Sequence, residues 1–400
     1  MSVPRPDDLL EEVRAGRVSA GLASAAVLIA YALCRVRLVD DGLAYQAVAE
    51  SPFAQGFLDL SQTGFHGASI LAMPIFALTR SPHAVAWLGI LLSAANPWLM
   101  LAAARRAAGL RAAFIAPLLY LLMPGVIWEP IKGHINTVFA FFILLTAWLS
   151  LRGSCLAPVA WGYSIIVKPF AAALAPLWLR RRPRGFGSMA LIALGVAVPI
   201  LYIAATYAQT GGLATAYSAA AAEPGIAHSL SLALHRNVAR IAVNLVVAGD
   251  WNLRDGYGTV RAIAPPSLFV IGLWALWKRR QDGWPRRAAL AILLNLLMVA
   301  VMNHLFAKYL LPAVLLASVA AAAILAELPW LGLLVAVDAF QLAYLRAKLV
   351  PPETIGSIPG FVPVLLPWAV ASAALAWLCL RDGAALPKPG PERPKSPASS

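Results

Sequence analysis

Long apolar stretches recur along the chain and are separated by short polar segments. About 20 apolar residues cross the hydrocarbon core of a bilayer as a helix, and ten stretches of nearly that length predict ten crossings. They are residues 20–38, 83–104, 112–128, 135–151, 189–207, 263–277, 288–302, 310–326, 331–345 and 361–380. The sequence lacks strands that alternate apolar and polar residues at barrel spacing. The predicted fold is therefore an all-α, polytopic transmembrane helical bundle.

Two apolar segments do not fit a full crossing. Residues 67–78 are too short and contain Pro74, which predicts a juxtamembrane helix in the interface. Residues 156–179 begin and end beside arginines that belong on the cytoplasmic side, so this segment should enter the membrane and return as a re-entrant hairpin. We expect its break at Lys168-Pro169, because proline cannot continue the hydrogen-bond ladder of a helix.

Basic residues lie in short clusters between the apolar stretches, and the path that puts most of them on the cytoplasmic side also puts both termini there. Residues 1–19 are then a cytoplasmic segment, residues 20–380 the transmembrane domain, and residues 381–400 a disordered cytoplasmic tail. Two outer segments, 39–82 and 208–262, are long enough to build a site. The first apolar stretch has no small-residue cleavage site and is interpreted as an uncleaved anchor. We expect an integral protein of the plasma (inner) membrane.

Composition agrees with this assignment. Hydrophobic residues make up 60% of the chain and charged residues 12%, with a mean hydropathy of +0.74. A soluble globule could not keep so little polar surface wetted. The net charge of +14 does not indicate a nucleic-acid partner, because the basic residues are distributed as in cytoplasmic loops. The three cysteines are far apart and predict neither a disulfide framework nor a zinc site.

Paired acids directly follow the first predicted helix. Asp40 and Asp41 would lie at the mouth of the bundle, where a carboxylate could take a proton from a hydroxyl or help to hold a divalent cation. The alternative is two solvated loop acids beside nearby arginines. Other outer groups, Glu129 among them, lie on segments that we interpret as less constrained. Asp40 and Asp41 are therefore the candidate catalytic residues.

Basic residues predict a phosphate site at the same depth. Lys132 and His134 lie in a tight outer turn, Lys168 at the hairpin apex, and Lys308 beside Tyr309. A lysine is a flexible point charge that suits phosphate. Lysines near helix ends also snorkel to the surface, and this alternative applies to Lys132 and Lys308. Lys168 lies within an apolar hairpin and is a functional candidate by default.

The second outer segment has apolar residues at helical spacing from position 230 to position 245. This pattern predicts a helix in the headgroup plane, with Arg236 and Arg240 on its other faces. Within the membrane, Asp338 should face the bundle interior with a partner, and that partner is expected to be structural.

In their order along the chain, these motifs resemble the C-type (GT-C fold) glycosyltransferases that use polyprenyl-phosphate sugars, and mannosyltransferase-like branches in particular. That superfamily has acids after the first helix, a Gly-His-x-Asn turn, a hairpin with a Lys-Pro pair and a late Arg-Tyr-Leu-Leu-Pro element. The matching residues are Asp40 and Asp41, Gly133 to Asn136, Lys168 and Pro169, and Lys308 to Pro312, in which Lys308 replaces the usual arginine.

The resemblance implies an enzyme of the cell envelope that moves a sugar, with inversion, from a polyprenyl-phosphate donor to a lipid-linked or glycan acceptor on the outer face. It implies Asp40 or Asp41 as the general base. The implied substrate-binding residues are Lys132, His134, Asn136, Lys168, Arg236, Arg240, Lys308 and Tyr309. Membrane lipids are expected partners. No metal site or cofactor is predicted, and a divalent cation remains an alternative.

Two other functions compete with this one. A transporter or flippase for a lipid-linked saccharide would also need basic residues near the headgroups, but it needs no base. An O-antigen polymerase or ligase usually concentrates arginines in one large outer loop. Here the arginines of the second outer segment are only modestly clustered.

Overall fold

The computed structural model describes residues 6–38, 41–61, 65–127, 129–179, 186–211, 238, 241–242, 245, 250–253, 258–261, 263–281, 283–301, 307–349 and 362–384. Three predicted site residues, Asp40, Arg236 and Arg240, lie outside these ranges, and so do residues 385–400 of the predicted tail.

The described chain is helical apart from one short hairpin of strands. The helices are α1 (Pro6–Ala32), α2 (Asp41–Ala54), α3 (Gly67–Thr79), α4 (Ala84–Ala108), α5 (Leu110–Leu121), α6 (Pro124–Ile127), α7 (Asn136–Arg152), α8 (Ala157–Val167), α9 (Pro176–Leu179), α10 (Phe186–Thr210), α11 (Pro266–Lys278), α12 (Gly283–Ala300), α13 (Leu311–Glu327), α14 (Trp330–Leu349) and α15 (Val362–Ala384). Short 3₁₀ turns span Pro130–Lys132, Pro169–Leu174 and Ala307–Leu310.

Each of the ten stretches predicted to cross the membrane contains a helix, which confirms a helical bundle. Among the described residues, four helices are long and apolar enough to span a bilayer, or five if a bent pair counts as one span. The number of full crossings therefore stays a prediction. Helix α1 spans Pro6–Ala32, so it begins before the predicted crossing of residues 20–38 and ends before residue 38. A proline followed by acidic residues is favourable at a helix N-terminus.

Helix α13 forms the centre of the bundle and packs against α4, α5, α7, α11 and α12. Every residue from Leu311 to Leu325 is buried, as expected for a helix that is apolar on all sides. Small side chains let its neighbours approach closely. A Cβ added to Gly272 of α11 would lie 2.3 Å from the carbonyl oxygen of Ala317. Close contact between small residues is the usual way in which helices associate in lipid.

The predicted hairpin is present, and its entry into the membrane and return stay a prediction. Helix α8 ends at Lys168, whose backbone is extended (φ −154°, ψ 132°), and the chain continues through the 3₁₀ turn into α9. The rings of Trp161 in α8 and Trp178 in α9 lie 5.1 Å apart. The segment therefore folds back on itself, with Lys168 at its apex.

A second break occurs between α5 and α6. The axis of α5 and that of the segment from Pro124 to Lys132 differ by 63°, which frees backbone carbonyls from the helical ladder. Thr137 Oγ1 donates to the Val126 carbonyl at 3.0 Å, and the Tyr31 hydroxyl donates to the Ile127 carbonyl. Side chains of α1 and α7 thus satisfy carbonyls that lipid could not.

Asp338 of α14 caps another helix. Its Oδ2 accepts hydrogen bonds from the backbone N–H of Ser267 (2.9 Å) and from the Ser267 hydroxyl (2.6 Å). Ser267 lies in the first turn of α11, where a carboxylate satisfies free N–H groups and opposes the positive end of the helix dipole. Asp338 therefore has the structural partner that the sequence predicts.

The outer segments are more regular than the sequence indicates. The first contains α2 and α3, and α3 (Gly67–Thr79) agrees with the helix predicted over residues 67–78. In the second, β1 (Asp250–Leu253) pairs antiparallel with β2 (Gly258–Arg261), a short strand pair that the sequence analysis did not predict. The sequence between them contains Asp255-Gly256, a common hairpin turn signal. Residues 238, 241, 242 and 245 are helical, as the spacing predicts.

We expect Thr137→Val to lower the stability of the bundle by about 0.6 kcal/mol, and by no more than about 1.7 kcal/mol, the range for polar contacts between membrane helices. The substitution keeps the shape but leaves the Val126 carbonyl without its donor. Thermal unfolding in detergent measures the change. Thr146→Val is the matched control, since Thr146 is also buried in α7 and its hydroxyl has no partner among the described residues. Equal losses in both variants would show that the bend does not need Thr137.

Candidate functional site

Two glycines join the first outer segment to the turn that precedes α7. A Cβ on Gly42 would lie 2.2 Å from the Lys132 carbonyl oxygen, and one on Gly133 would lie 3.0 Å from the Gly42 Cα. The Arg37 N–H also donates to the Ile131 carbonyl at 2.9 Å. Asp41, at the first position of α2, is therefore held beside this turn.

The turn is ordered by Glu129. Its backbone carbonyl accepts the N–H groups of Lys132 and His134, both at 3.1 Å. Its carboxylate pairs with Nδ1 of His134, and the two side chains are only 13% and 21% exposed. The interpretation of Glu129 as less constrained was therefore wrong, because backbone and side-chain contacts both fix it.

Lys168, at the apex of the hairpin, places a basic side chain inside the bundle beside the start of α7. Only 4% of the residue is exposed, and its Nζ donates to Asn136 Oδ1 at 2.6 Å. The Nζ atom also lies 5.9 Å from the Phe139 ring centroid and 6.0 Å from that of Tyr309. An amide oxygen and two aromatic faces therefore surround an ammonium that lipid would not accept.

Tyr309 connects the late motif to the hairpin. Its ring stacks on Phe170, two residues after Lys168, with centroids 4.2 Å apart. Asn295 of α12 donates from Nδ2 to the Tyr309 carbonyl at 3.1 Å and accepts the Ala313 N–H at 3.3 Å. The segment that carries Lys308 is thus fastened to α12 and to the start of α13.

Lys308 completes the site. Its Nζ lies 3.2 Å from Asp41 Oδ2 in an ion pair whose side chains are 24% and 49% exposed. Lys168 lies beside this pair, because its Nζ is 6.0 Å from the ring of Tyr309, the residue next to Lys308. Its hydrogen-bond partner Asn136 directly follows the turn that Glu129 orders. Two lysines and two carboxylates from four separate segments therefore gather at one end of the bundle. Such a cluster can bind an anionic group through the lysines and hold a proton acceptor beside it.

Most of the predicted site residues within the described ranges belong to this cluster. They are Asp41, His134, Asn136, Lys168, Lys308 and Tyr309. Lys132 contributes its backbone to the glycine junction. The sequence interpretation missed Glu129 and Asn295. A carboxylate five residues before a histidine, and an asparagine within an apolar helix, are the signals that could have identified them.

A metal centre does not form within the described parts of the chain, where no three His, Cys, Asp or Glu side chains come together in a way that could hold an ion. Asp40 lies outside those parts.

Comparisons with known proteins give the fold. No family model matches the chain, and no curated protein matches it either. Among solved structures it is similar to ArnT from Cupriavidus metallidurans bound to undecaprenyl phosphate, with 14% identity and a TM-score of 0.55 over 90% of this chain and 76% of that chain. It also matches the Archaeoglobus fulgidus oligosaccharyltransferase tethered with an acceptor peptide, with 13% identity and a TM-score of 0.47 over 96% of this chain and 60% of that chain. The ArnT likeness shows that the chain has the fold of GT-C membrane glycosyltransferase structures.

We expect Gly42→Ala to destabilise the protein by about 1–3 kcal/mol, the usual cost of overpacking. The added Cβ meets backbone atoms and not a flexible side chain, so α2 must move away from the turn. Thermal unfolding in detergent measures the effect. Gly21→Ala in α1 is the control, because a Cβ there meets nothing within 4 Å and alanine favours a helix. If Gly42→Ala is as stable as Gly21→Ala, the glycine junction does not hold the site together.

Proposed function

We propose that this chain is a membrane glycosyltransferase that moves a sugar from a polyprenyl-phosphate donor to a lipid-linked or glycan acceptor. The observation that carries the proposal is the convergence of Lys168 and Lys308 beside Asp41, at one end of a GT-C-like helical bundle. Transfer of a sugar from a phosphate to a hydroxyl requires cations that stabilise the phosphate and a carboxylate that accepts the proton of the hydroxyl.

The proposed donor site uses both lysines. As the bond between the sugar and the phosphate breaks, negative charge develops on the phosphate, and a preorganised cation stabilises it. Lys168 suits this role because Asn136 holds it in place and because it is screened from solvent. Lys308 is more exposed and would meet the phosphate at the mouth. The related fold of ArnT supports a lipid donor, since that structure is of ArnT bound to undecaprenyl phosphate.

The proposed base is one of the two adjacent aspartates. A sugar phosphodiester already has a good leaving group, so no general acid is needed, whereas the acceptor hydroxyl must lose a proton as it attacks. Asp41 pairs with Lys308, which favours a positioning role for Asp41 and the role of base for Asp40. Displacement in a single step would invert the anomeric carbon.

The remaining assignments belong to the same proposal. His134, Lys132, Tyr309, Arg236 and Arg240 would contact the donor or the acceptor near the headgroups. The site would face the outer side of the plasma membrane, with both chain termini in the cytoplasm and a mannose-type hexose as the transferred sugar. The two aspartates could also hold a divalent cation, which would act on the same phosphate.

The donor site predicts that Lys168→Ala and Lys308→Ala each weaken binding of a polyprenyl phosphate by about tenfold or more, since hydrogen bonds to charged groups contribute about 1.5–3 kcal/mol. Lys308→Arg should bind the polyprenyl phosphate as well as the wild type does or better. The guanidinium group keeps the charge and can donate two parallel hydrogen bonds to the phosphate. Titration of the purified protein with undecaprenyl phosphate measures this. Lys278→Ala is the control, because Lys278 pairs with Glu327 on an exposed surface away from the cluster. Unchanged affinity in both alanine variants would mean that these lysines only snorkel.

The base assignment predicts a loss of roughly 100-fold or more in turnover when the correct aspartate becomes asparagine. Asparagine keeps the shape and the hydrogen bonds but cannot take the proton. Asp40→Asn should therefore abolish most of the transfer, while Asp41→Asn should have a smaller effect through Lys308. Single-turnover transfer of a radiolabelled sugar from a lipid-phosphate donor in detergent measures both.

The double variant, Asp40→Asn with Asp41→Asn, separates the enzyme from a transporter. Transfer at near wild-type rate by this variant would contradict the base assignment. Movement of a lipid-linked saccharide across liposomes, without any new glycosidic bond, would favour the transporter.

A further inference from the structure

A second basic cluster lies at the other end of the bundle from the proposed donor site. Asn136 begins α7 and Arg152 ends it, so the two residues are separated by about 24 Å along the helix axis. This distance approaches the roughly 30 Å thickness of a hydrocarbon core. Arg152 therefore lies near the opposite interface of the membrane.

At that interface, α4 and α7 form a cleft of about 530 Å³. We call it the arginine cleft, and it is lined by Leu101, Ala102, Arg105, Arg106, Trp148 and Arg152. Its volume falls within the range of roughly 300–1,000 Å³ that is typical of small-molecule sites. The cleft is large enough for a headgroup, and the three arginines in its lining favour an anionic one.

Among the described residues, the three arginines have no acidic partner. Within the described part of the chain, none of the ion pairs involves Arg105, Arg106 or Arg152. Glu327, an acid on the neighbouring helix α13, pairs with Lys278 and Arg279. Three guanidinium groups on one cleft therefore present many donors to an anion, and planar guanidinium groups match phosphate in a bidentate manner.

The walls of the cleft have the polarity of a lipid. On α4, Leu101 and Ala102 lie one turn before Arg105 and Arg106, and on α7 Trp148 lies one turn before Arg152. Residues four apart share a helix face, so both walls change from apolar to cationic in the direction of the helix ends. The Arg152 guanidinium carbon also lies 5.0 Å from the Trp148 ring centroid, which fixes it at the border between the two zones.

We propose that the arginine cleft binds the phosphate of an anionic phospholipid from the leaflet opposite to the donor site. The arginines hold the phosphate, and the first carbons of the acyl chains lie against Leu101, Ala102 and Trp148. A soluble phosphate would use the arginines and leave the apolar wall unused. Arginines that only set the topology would need neither the cleft nor the tryptophan.

Native mass spectrometry of the delipidated full-length protein tests this proposal, with phosphatidylglycerol and phosphatidylcholine titrated separately. The wild type should bind one phosphatidylglycerol at least about tenfold more tightly than phosphatidylcholine, the effect of one charge-assisted contact. The triple variant Arg105→Ala, Arg106→Ala, Arg152→Ala should lose that preference. The triple lysine variant keeps the charge that topology requires, so it carries the test if the alanine variant fails to fold. The affinity of the lysine variant for phosphatidylglycerol should lie between that of the wild type and that of the alanine variant. Lysine keeps the charge but lacks the planar set of donors of a guanidinium group.

The matched control is a second triple variant, Arg14→Ala, Arg17→Ala, Arg286→Ala. These three arginines are exposed and do not line the cleft. The control variant removes the same charge and should bind phosphatidylglycerol as the wild type does. Equal loss in the control, or no lipid preference in the wild type, would overturn the proposal. Displacement of the lipid by inorganic phosphate would assign the arginines to a soluble anion, and a lysine variant that binds like the wild type would overturn the role of the guanidinium forks.

Discussion

An ammonium buried in an apolar bundle must be met by polar groups, and the rest of the site is arranged around this need of Lys168. Lys168 is 4% exposed. Its hydrogen bond to Asn136 holds the break in the hairpin against the start of α7. Phe170, next to that break, stacks on Tyr309 and so draws in the segment that carries Lys308. Lys308 in turn reaches Asp41. A chain of contacts that begins at this buried residue thus connects the hairpin, α7, the segment before α13 and the first outer segment.

Helix breaks make this arrangement possible in lipid, where irregular backbone is tolerated only when it is satisfied by protein or faces water. At the break after α8, the chain enters a 3₁₀ turn, and Lys168 points its charge inward. At the break after α5, Thr137 and Tyr31 bond the freed carbonyls. That second break leads into the turn from Glu129 to His134. Both irregular segments therefore end at the site, and each is stabilised by side chains of α7.

Much of the fold could be predicted from the sequence, because the length and period of an apolar stretch are local properties. The helices and the break at Lys168-Pro169 follow from them. The start of α1 and the strands β1 and β2 were missed, since acidic residues and a short polar hairpin carry no membrane signal. The site itself was predictable as residue types but not as contacts. Lys308 and Asp41 lie 267 positions apart, and only the packing of the bundle brings them together, whereas Glu129 and His134 are close enough in sequence to have been paired.

The contrast between the two lysines bears on how the proposed reaction would proceed. Lys168 is screened from solvent and already hydrogen-bonded to an amide oxygen. A donor phosphate would therefore meet the positive charge of Lys168 with little rearrangement of the site. Lys308 is paired with a carboxylate near the surface, so a phosphate that binds it would compete with Asp41. Binding of the donor would then free the Asp41 carboxylate to position the acceptor hydroxyl beside Asp40, the proposed base. An ion pair that opens when the donor binds would keep the carboxylate occupied until there is a sugar to transfer.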